Sequence, residues 1–318
     1  MMTVPSPAAE SPRVGGAIPG LDGVPAFSLH GSAAASPIPV LIAVPHAGRA
    51  YSETLLARMR DPAFAAMRLE DRHADRLGTA VAAATGAALI VAHAPRAMLD
   101  LNRAPEDVDW EMIELASARA PGANGQGRRA RNGLGLVPRR LAGFGEVWRG
   151  RLPQAELAAR LDQIHGPYHR AVSEVLAAMR ARWGAALLLD LHSMPPLAAR
   201  AGAPAPAEFV IGDRFGCSCD GGLVAAAFSG LAAEGRRAAH NRPYAGGYAL
   251  DRHARPHDGL HALQLEVDRR SYLDPALREP GAGLAPTAGL LARLVRRLAA
   301  EVALLGGAGV ATWVEAAE

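Results

Sequence analysis

The chain has 318 residues, half of them hydrophobic, with 34 basic and 31 acidic side chains and a formal net charge of +3. This is ample for a substantial core, and the absence of any long charge-free apolar run leaves a membrane-spanning reading without support. Every basic residue is arginine, which beside abundant alanine and glycine reads as G/C codon bias, and with only 5% aromatics no stacking motif points to nucleic acid.

Residues 1–36, rich in Pro, Ala, Gly and Ser without a period, read as a flexible N-terminal segment. They lack the basic-then-apolar pattern of a signal peptide, so the sequence reads as cytosolic. Residues 37–318 read as a single domain. Its first strand is Val40–Val44, which runs into His46-Ala47-Gly48. Helices are expected near Ser52–Arg60 and Asp71–Ala84, a strand over Ala87–Ala92, and a polar turn over Pro95–Arg103. Between about 104 and 151 the periodicity collapses among many glycines, and Arg128, Arg129, Arg131, Arg139 and Arg140 gather there. An irregular insertion of this length reads as a lid over a site, with a polyanion contact left open.

Pro153–Arg182 has helical spacing, with a bend expected at Gly166-Pro167. The Leu187–Leu191 run then delivers Asp190, His192 and Ser193 into a proline-marked loop. Glu208–Ile211 and Leu260–Val267 read as strands, Gly222–Glu234 and Leu284–Leu305 as helices. Such alternation predicts an α/β architecture with helices on both faces of a central sheet. No Gly-x-Gly-x-x-Gly lies between a strand and a helix, so a dinucleotide site has no support.

His46 and His192, both at strand ends, suggest a metal. A catalytic zinc site usually takes a third protein ligand, and Glu70, Asp71, His73 and Asp75 lie together at one helix start. Asp71 capping that helix and Asp75 pairing with an arginine are equally open. Glu266, in the apolar strand context Gln264-Leu265-Glu266-Val267, is either a general base raised in pKa by burial or a partner of Arg269 or Arg270. Arg96 with Asp100-Leu101-Asn102-Arg103 is either an anion site or a structural ion pair. Cys217 and Cys219 are too close for an easy disulfide and too few for structural zinc.

Several short motifs occur in order: Val44-Pro45-His46-Ala47-Gly48, Ala74-Asp75-Arg76-Leu77, Arg96 with Asp100-Leu101-Asn102-Arg103, Pro167-Tyr168-His169, and Asp190-Leu191-His192-Ser193. Asn241-Arg242-Pro243-Tyr244 with Gly246-Gly247-Tyr248, and Gln264-Leu265-Glu266 through Tyr272, complete the series. Together they resemble the N-formylglutamate amidohydrolase family, over roughly Pro39 to Tyr272. The resemblance implies a three-layer α/β/α fold with a central mixed sheet, phosphorylase/hydrolase-like and related to zinc carboxypeptidases and aspartoacylases. It also implies hydrolysis of the amide of an N-formyl or other N-acyl amino acid, and so a small-molecule substrate. Carried over, His46, Asp71 and His192 would hold Zn2+, and Glu266 would act as base. Arg96 would steady the oxyanion, and Asn102 with Arg103 would grip a substrate carboxylate. The related peptidases have an acid three residues after the first histidine, where this chain has Arg49, and Arg72 follows Asp71 where an aromatic residue is expected. A broader deacylase or carboxypeptidase-like hydrolase, and a non-catalytic metal- or ligand-binding protein, are the alternatives.

Overall fold

In the computed structural model, which describes residues 11–33, 35–114, 128–199, 202 and 204–307, the Leu/Val/Ile runs form the middle of one eight-stranded mixed sheet. Its strands are β1 (Arg13–Gly15), β2 (Phe27–His30), β3 (Val40–Val44), β4 (Ala88–Ala92), β5 (Ala186–Met194), β6 (Phe209–Gly212), β7 (Ala238–His240) and β8 (Leu260–Asp268). They lie in the order β1-β2-β4-β3-β5-β8-β6-β7. The central four, β4, β3, β5 and β8, are mutually parallel and buried on both faces, which explains their near-continuous apolar sequences. Antiparallel neighbours flank them: β2 on β4, and β6 on β8.

Strand alternation divides the aliphatic residues between two cores. Leu187, Leu189 and Leu191 of β5 and Leu263, Leu265 and Val267 of β8 pack with α3 (Ala74–Thr85), α7 (Gly221–Ala233) and α9 (Leu284–Leu305). Leu188 and Ala262 face the opposite layer, which contains α6 (Gly166–Trp183). On that second face the same parity continues as Asp190 and His192 in β5 and as Gln264 and Glu266 in β8. The register sets Gln264 beside Asp190 and Glu266 beside His192. One face of the sheet therefore changes from aliphatic to polar toward the C-terminal strand ends, where open α/β sheets carry their sites.

Three expectations need correction or displacement. Of the segment 1–36, residues 1–10 lie outside the described residues, but β1 and β2 extend the sheet, with Phe27 and Leu29 buried in its core. These strands are short and separated by Gly- and Pro-rich chain, so no period marks them. Within the insertion, residues 115–127, including Gly122, Gly125 and Gly127, lie outside the described residues. The rest carries short structure: the helical turn α4 (Arg128–Arg131), Ile113–Glu114 paired with Leu152–Pro153, and Arg140–Leu141 paired with Gly145–Glu146. Arg139 binds it together through Asp109, Glu111 and Glu146 at 2.6, 2.9 and 3.1 Å.

The expected bend before α6 is a π-turn over Leu161–His165 that follows α5 (Gln154–Arg160), earlier than Gly166-Pro167. Besides α1 (Glu53–Arg58), the chain forms α2 (Pro62–Leu69) and α8 (Tyr248–His253), neither of which the apolar period revealed. Asp61 caps α2 by accepting a hydrogen bond from Phe64 N, with Pro62 at its first turn, a start signal that was available in the sequence. No described helix is long and apolar enough to cross a membrane.

Candidate active site

His46 leaves β3 in a loop that requires glycine two residues later, because a Cβ on Gly48 would sit 2.2 Å from Ala94 O. Asp71 lies between α2 and α3, and its backbone N–H donates to His46 O at 2.9 Å, which docks the acidic loop onto the histidine loop. His46, Asp71 and His192 consequently converge, with one ligand atom from each within 4.8 Å of the others, all three residues buried. Asp71 Oδ2 stands 2.9 Å from His192 Nδ1 and 3.6 Å from His46 Nδ1. The His46 Nδ1 atom is buried without any hydrogen-bond partner.

Each histidine is oriented through its other nitrogen, an arrangement common behind metal ligands. His46 Nε2–H donates to Asp100 Oδ1 at 2.7 Å, and His192 Nε2–H to Asp190 Oδ2 at 2.9 Å. Those bonds turn the two Nδ1 atoms toward Asp71. The group could hold a metal ion. Glu70, His73 and Asp75 are not part of it. Glu70 accepts from Tyr51 and Arg72, and Asp75 pairs with Arg49 at 2.9 Å. Arg49 thus pairs with Asp75 and keeps it away from the histidines. Asp71 does not cap α3, whose N-cap is His73.

Burial alone would raise the Asp71 carboxyl, but the neighbouring His192 and His46 rings outweigh it and hold the group well below the usual range. Burial would likewise raise Asp100, and Arg96, His46 and Arg103 reverse the sign. At His192 burial favours the neutral ring, but Asp190 and Asp71 overcome it, so the site favours a positive charge there. Glu266 differs. Burial pushes its carboxyl up to about 7, with Asp71 adding to the rise and His192 opposing it.

Glu266 has no hydrogen bond to Arg269 or Arg270. Arg270 pairs with Asp268 at 2.6 Å, while Arg269 donates to Ser193 Oγ and to the carbonyls of Met67 and Glu70. Glu266 instead ends a relay. Ala249 N donates to Asn102 Oδ1 (2.9 Å), Asn102 Nδ2 to Gln264 Oε1 (3.2 Å), and Gln264 Nε2 to Glu266 Oε1 (2.9 Å). Gly247 permits the first contact, since a Cβ there would lie 2.5 Å from Asn102 Oδ1.

The relay changes the expected part of Asn102. Its amide is committed inside the protein, also reaching Asp190 Oδ2 at 3.3 Å, so it fixes Gln264 and has no donor to spare for a substrate carboxylate. Arg103 is split. Its Nε and Nη1 donate to Leu134 O and Asn102 O, and Nη2 has no partner among the described residues. Arg96 holds Asp100 through Nε and Nη2, leaving Nη1. Arg96, Arg103, Glu266 and the His-Asp-His group all line one cavity of about 600 Å³.

Sequence reasoning left several supporting residues without a role. Asp190 stands with His192 at a strand end and Gln264 with Glu266 in its strand, and their spacing of two could have assigned them to the site. His165 Nε2 and His169 Nε2 bond the carbonyls of Arg103 and Leu101 (3.0 and 2.9 Å), and His169 Nδ1 meets His253 Nε2 at 2.9 Å. Nothing local in the sequence relates α6 to that loop.

A family model described as N-formylglutamate amidohydrolase matches residues 38–273. A protein named N-formylglutamate deformylase from Pseudomonas aeruginosa is 32% identical over 74% of this chain and 83% of its own length. One of the same name from Pseudomonas putida is 29% identical over 74% of this chain and 82% of its own. The crystal structure of an N-formylglutamate amidohydrolase from Ralstonia eutropha superposes with a TM-score of 0.76 at 30% identity, covering 87% of this chain and 98% of that one. This chain belongs to the N-formylglutamate amidohydrolase family.

Proposed function

We propose that the protein is a zinc-dependent amidohydrolase that cleaves the formyl amide of N-formylglutamate, consuming one water and releasing formate and glutamate. The observation that carries this reading is the buried, unpartnered Nδ1 of His46 beside Asp71 and His192, with Glu266 in register next to His192. Zinc–ligand distances of about 2.0–2.2 Å set two ligands of a tetrahedral ion roughly 3.4 Å apart. The 2.9 and 3.6 Å separations bracket that value. Two histidines and a carboxylate with a fourth position open are also the donor set of catalytic zinc. The names of the two Pseudomonas relatives support formylglutamate as the substrate.

When bound, zinc supplies Lewis acidity that lowers the pKa of a water and polarises the substrate carbonyl. Glu266 Oε1 is tied to Gln264, so Oε2 accepts the proton of the attacking water and returns it to the amide nitrogen as the C–N bond breaks. Arg96, braced by Asp100, directs Nη1 to the charge developing on the carbonyl oxygen. Arg103 offers Nη2 to the substrate α-carboxylate.

The test combines metal analysis of the purified protein with formate release from N-formylglutamate. The expected result is near-stoichiometric zinc, and turnover that a chelator abolishes and added zinc restores. Comparable rates on N-acetyl amino acids or peptides would make the enzyme a broader deacylase. Bound zinc without turnover of any of them would identify a binding protein.

A further inference from the structure

The cavity beside the His-Asp-His group is lined by five arginines, Arg68, Arg96, Arg103, Arg129 and Arg269, but by only two carboxylates, Asp71 and Glu266, both at the metal group or next to it. Three of the arginines are engaged. Arg96 holds Asp100, Arg269 holds Ser193 and two carbonyls, and Arg103 is anchored through two of its nitrogens. Arg68 and Arg129 differ. Both are exposed, and neither guanidinium has a hydrogen bond or ion pair among the described residues. Arg68, in the last turn of α2, lies over the Phe64 ring with its guanidinium 5.8 Å from the centroid. That contact occupies one face of it.

Arg129 comes from α4 in the insertion, where the wall beside it is apolar, formed by Leu134, Leu141 and Ala142. The insertion is held against the body of the protein. Phe144 stacks on Phe64 with centroids 4.7 Å apart, Arg60 N donates to Val147 O at 2.9 Å, and Asp100 N donates to Leu136 O at 2.7 Å. Arg129 therefore stands on an anchored wall. It is also close enough to Arg103 for its charge to disfavour the Arg103 cation, adding to the larger effect of burial. Asp100 and Asp107 offset part of that repulsion at Arg103, and an anion held between the two guanidinium groups would relieve the rest.

We infer that Arg129 is a specificity residue that receives a second carboxylate of the substrate, beyond the one offered to Arg103, so that the site selects dianionic N-acyl amino acids over monoanionic ones. This rests on the amidohydrolase reading above and assigns the side-chain end of the substrate to the insertion. The apolar wall accommodates the methylenes between the two carboxylates, and the planar fork of Arg129 closes on the second one. Selection for an acidic side chain is thus carried by a segment outside the sheet that carries the chemistry.

The experiment compares kcat/KM of the zinc-loaded enzyme on N-formylglutamate and on N-formylglutamine, the monoanionic isostere with a neutral side chain. Wild type is expected to prefer the diacid, and Arg129→Gln to lower the diacid-to-amide ratio at least ten-fold, mainly through KM on the diacid. Arg129→Lys, which keeps the charge but not the fork, should retain part of the preference. An equal loss on both substrates in Arg129→Gln overturns the inference and leaves the enzyme reading intact. So does a ratio that collapses in Arg68→Gln but not in Arg129→Gln, which would place the second carboxylate on α2. Failure of wild type to hydrolyse either substrate overturns the amidohydrolase reading, and this inference with it.

Discussion

Asp71 faces His46 and His192 with one oxygen, while its other oxygen lies 3.5 Å from the Arg269 guanidinium. Asp75, four residues on, is spent on Arg49. Metal analysis should accordingly separate the two: Asp71→Ala loses the ion, as do His46→Ala and His192→Ala, and Asp75→Ala keeps it. Asp100→Asn tests the support behind His46. Its loss of charge should weaken metal affinity by roughly 10–100-fold, measured by competition with a chelator, because the His46 ring loses the anion that fixes its tautomer. Unchanged affinity would mean that packing alone orients the ring. Glu266→Gln should retain metal and fold, yet lose on the order of 10²–10⁴ in kcat, since an amide cannot accept the water's proton. Near-normal turnover would reduce Glu266 to a buried structural acid.

Among the elements, α6 and the π-turn before it act on the site at a distance. His165 and His169 bond the carbonyls on either side of Asn102, and Asn102 in turn fixes Gln264 and so Glu266. π-turns recur at functional sites, and here His165, the last residue of the turn, meets Arg103 O at 3.0 Å. His169→Phe keeps the ring volume but strands Leu101 O, at a cost of about 1–3 kcal/mol in stability. The metal should stay bound while kcat/KM falls about ten-fold, because the loop carrying Asn102 and Arg103 loosens. A kcat/KM unchanged beside the lowered stability would confine His169 to a structural part.

For the molecule as a whole, the same histidines set its tolerance of acid. Burial lowers His165 and His169, and drives His253 to about 3, with the nearby Arg252 assisting at His253. A histidine with a folded pKa below its unfolded value of about 6.5 adds stability that is complete above that pH and lost as pH falls toward the folded value. Each contributes a slope of up to about 1.4 kcal/mol per pH unit over that window. Urea midpoints should hold from pH 7.5 to about 6.5 and fall from there to pH 4.5, and His253→Phe should flatten the decline. An identical slope in the variant would assign acid sensitivity elsewhere.

Much of this was legible in the sequence, because strand alternation and apolar runs are local properties. The buried strands β3, β4, β5 and β8, the helices α3, α7 and α9, and the strand-end positions of His46, His192 and Glu266 all follow from short-range pattern. Among the acids at the helix start the residue pattern left the choice open, and only the family resemblance pointed to Asp71, which the structure sets beside His46 and His192. What the chain alone did not disclose is how distant segments meet. That Asp71 docks on the His46 carbonyl, that Asn102 is spent on Gln264, and that α6 holds the loop of Arg103 are contacts between residues tens to more than a hundred positions apart. No periodicity encodes such contacts, since each forms only when the parallel crossovers bring strand ends and helices to one edge of the sheet. A side chain's role, as ligand, clamp or substrate contact, is settled by which hydrogen bonds remain unspent after that packing. The tertiary structure decides this, because a donor used inside the fold is not available to a substrate.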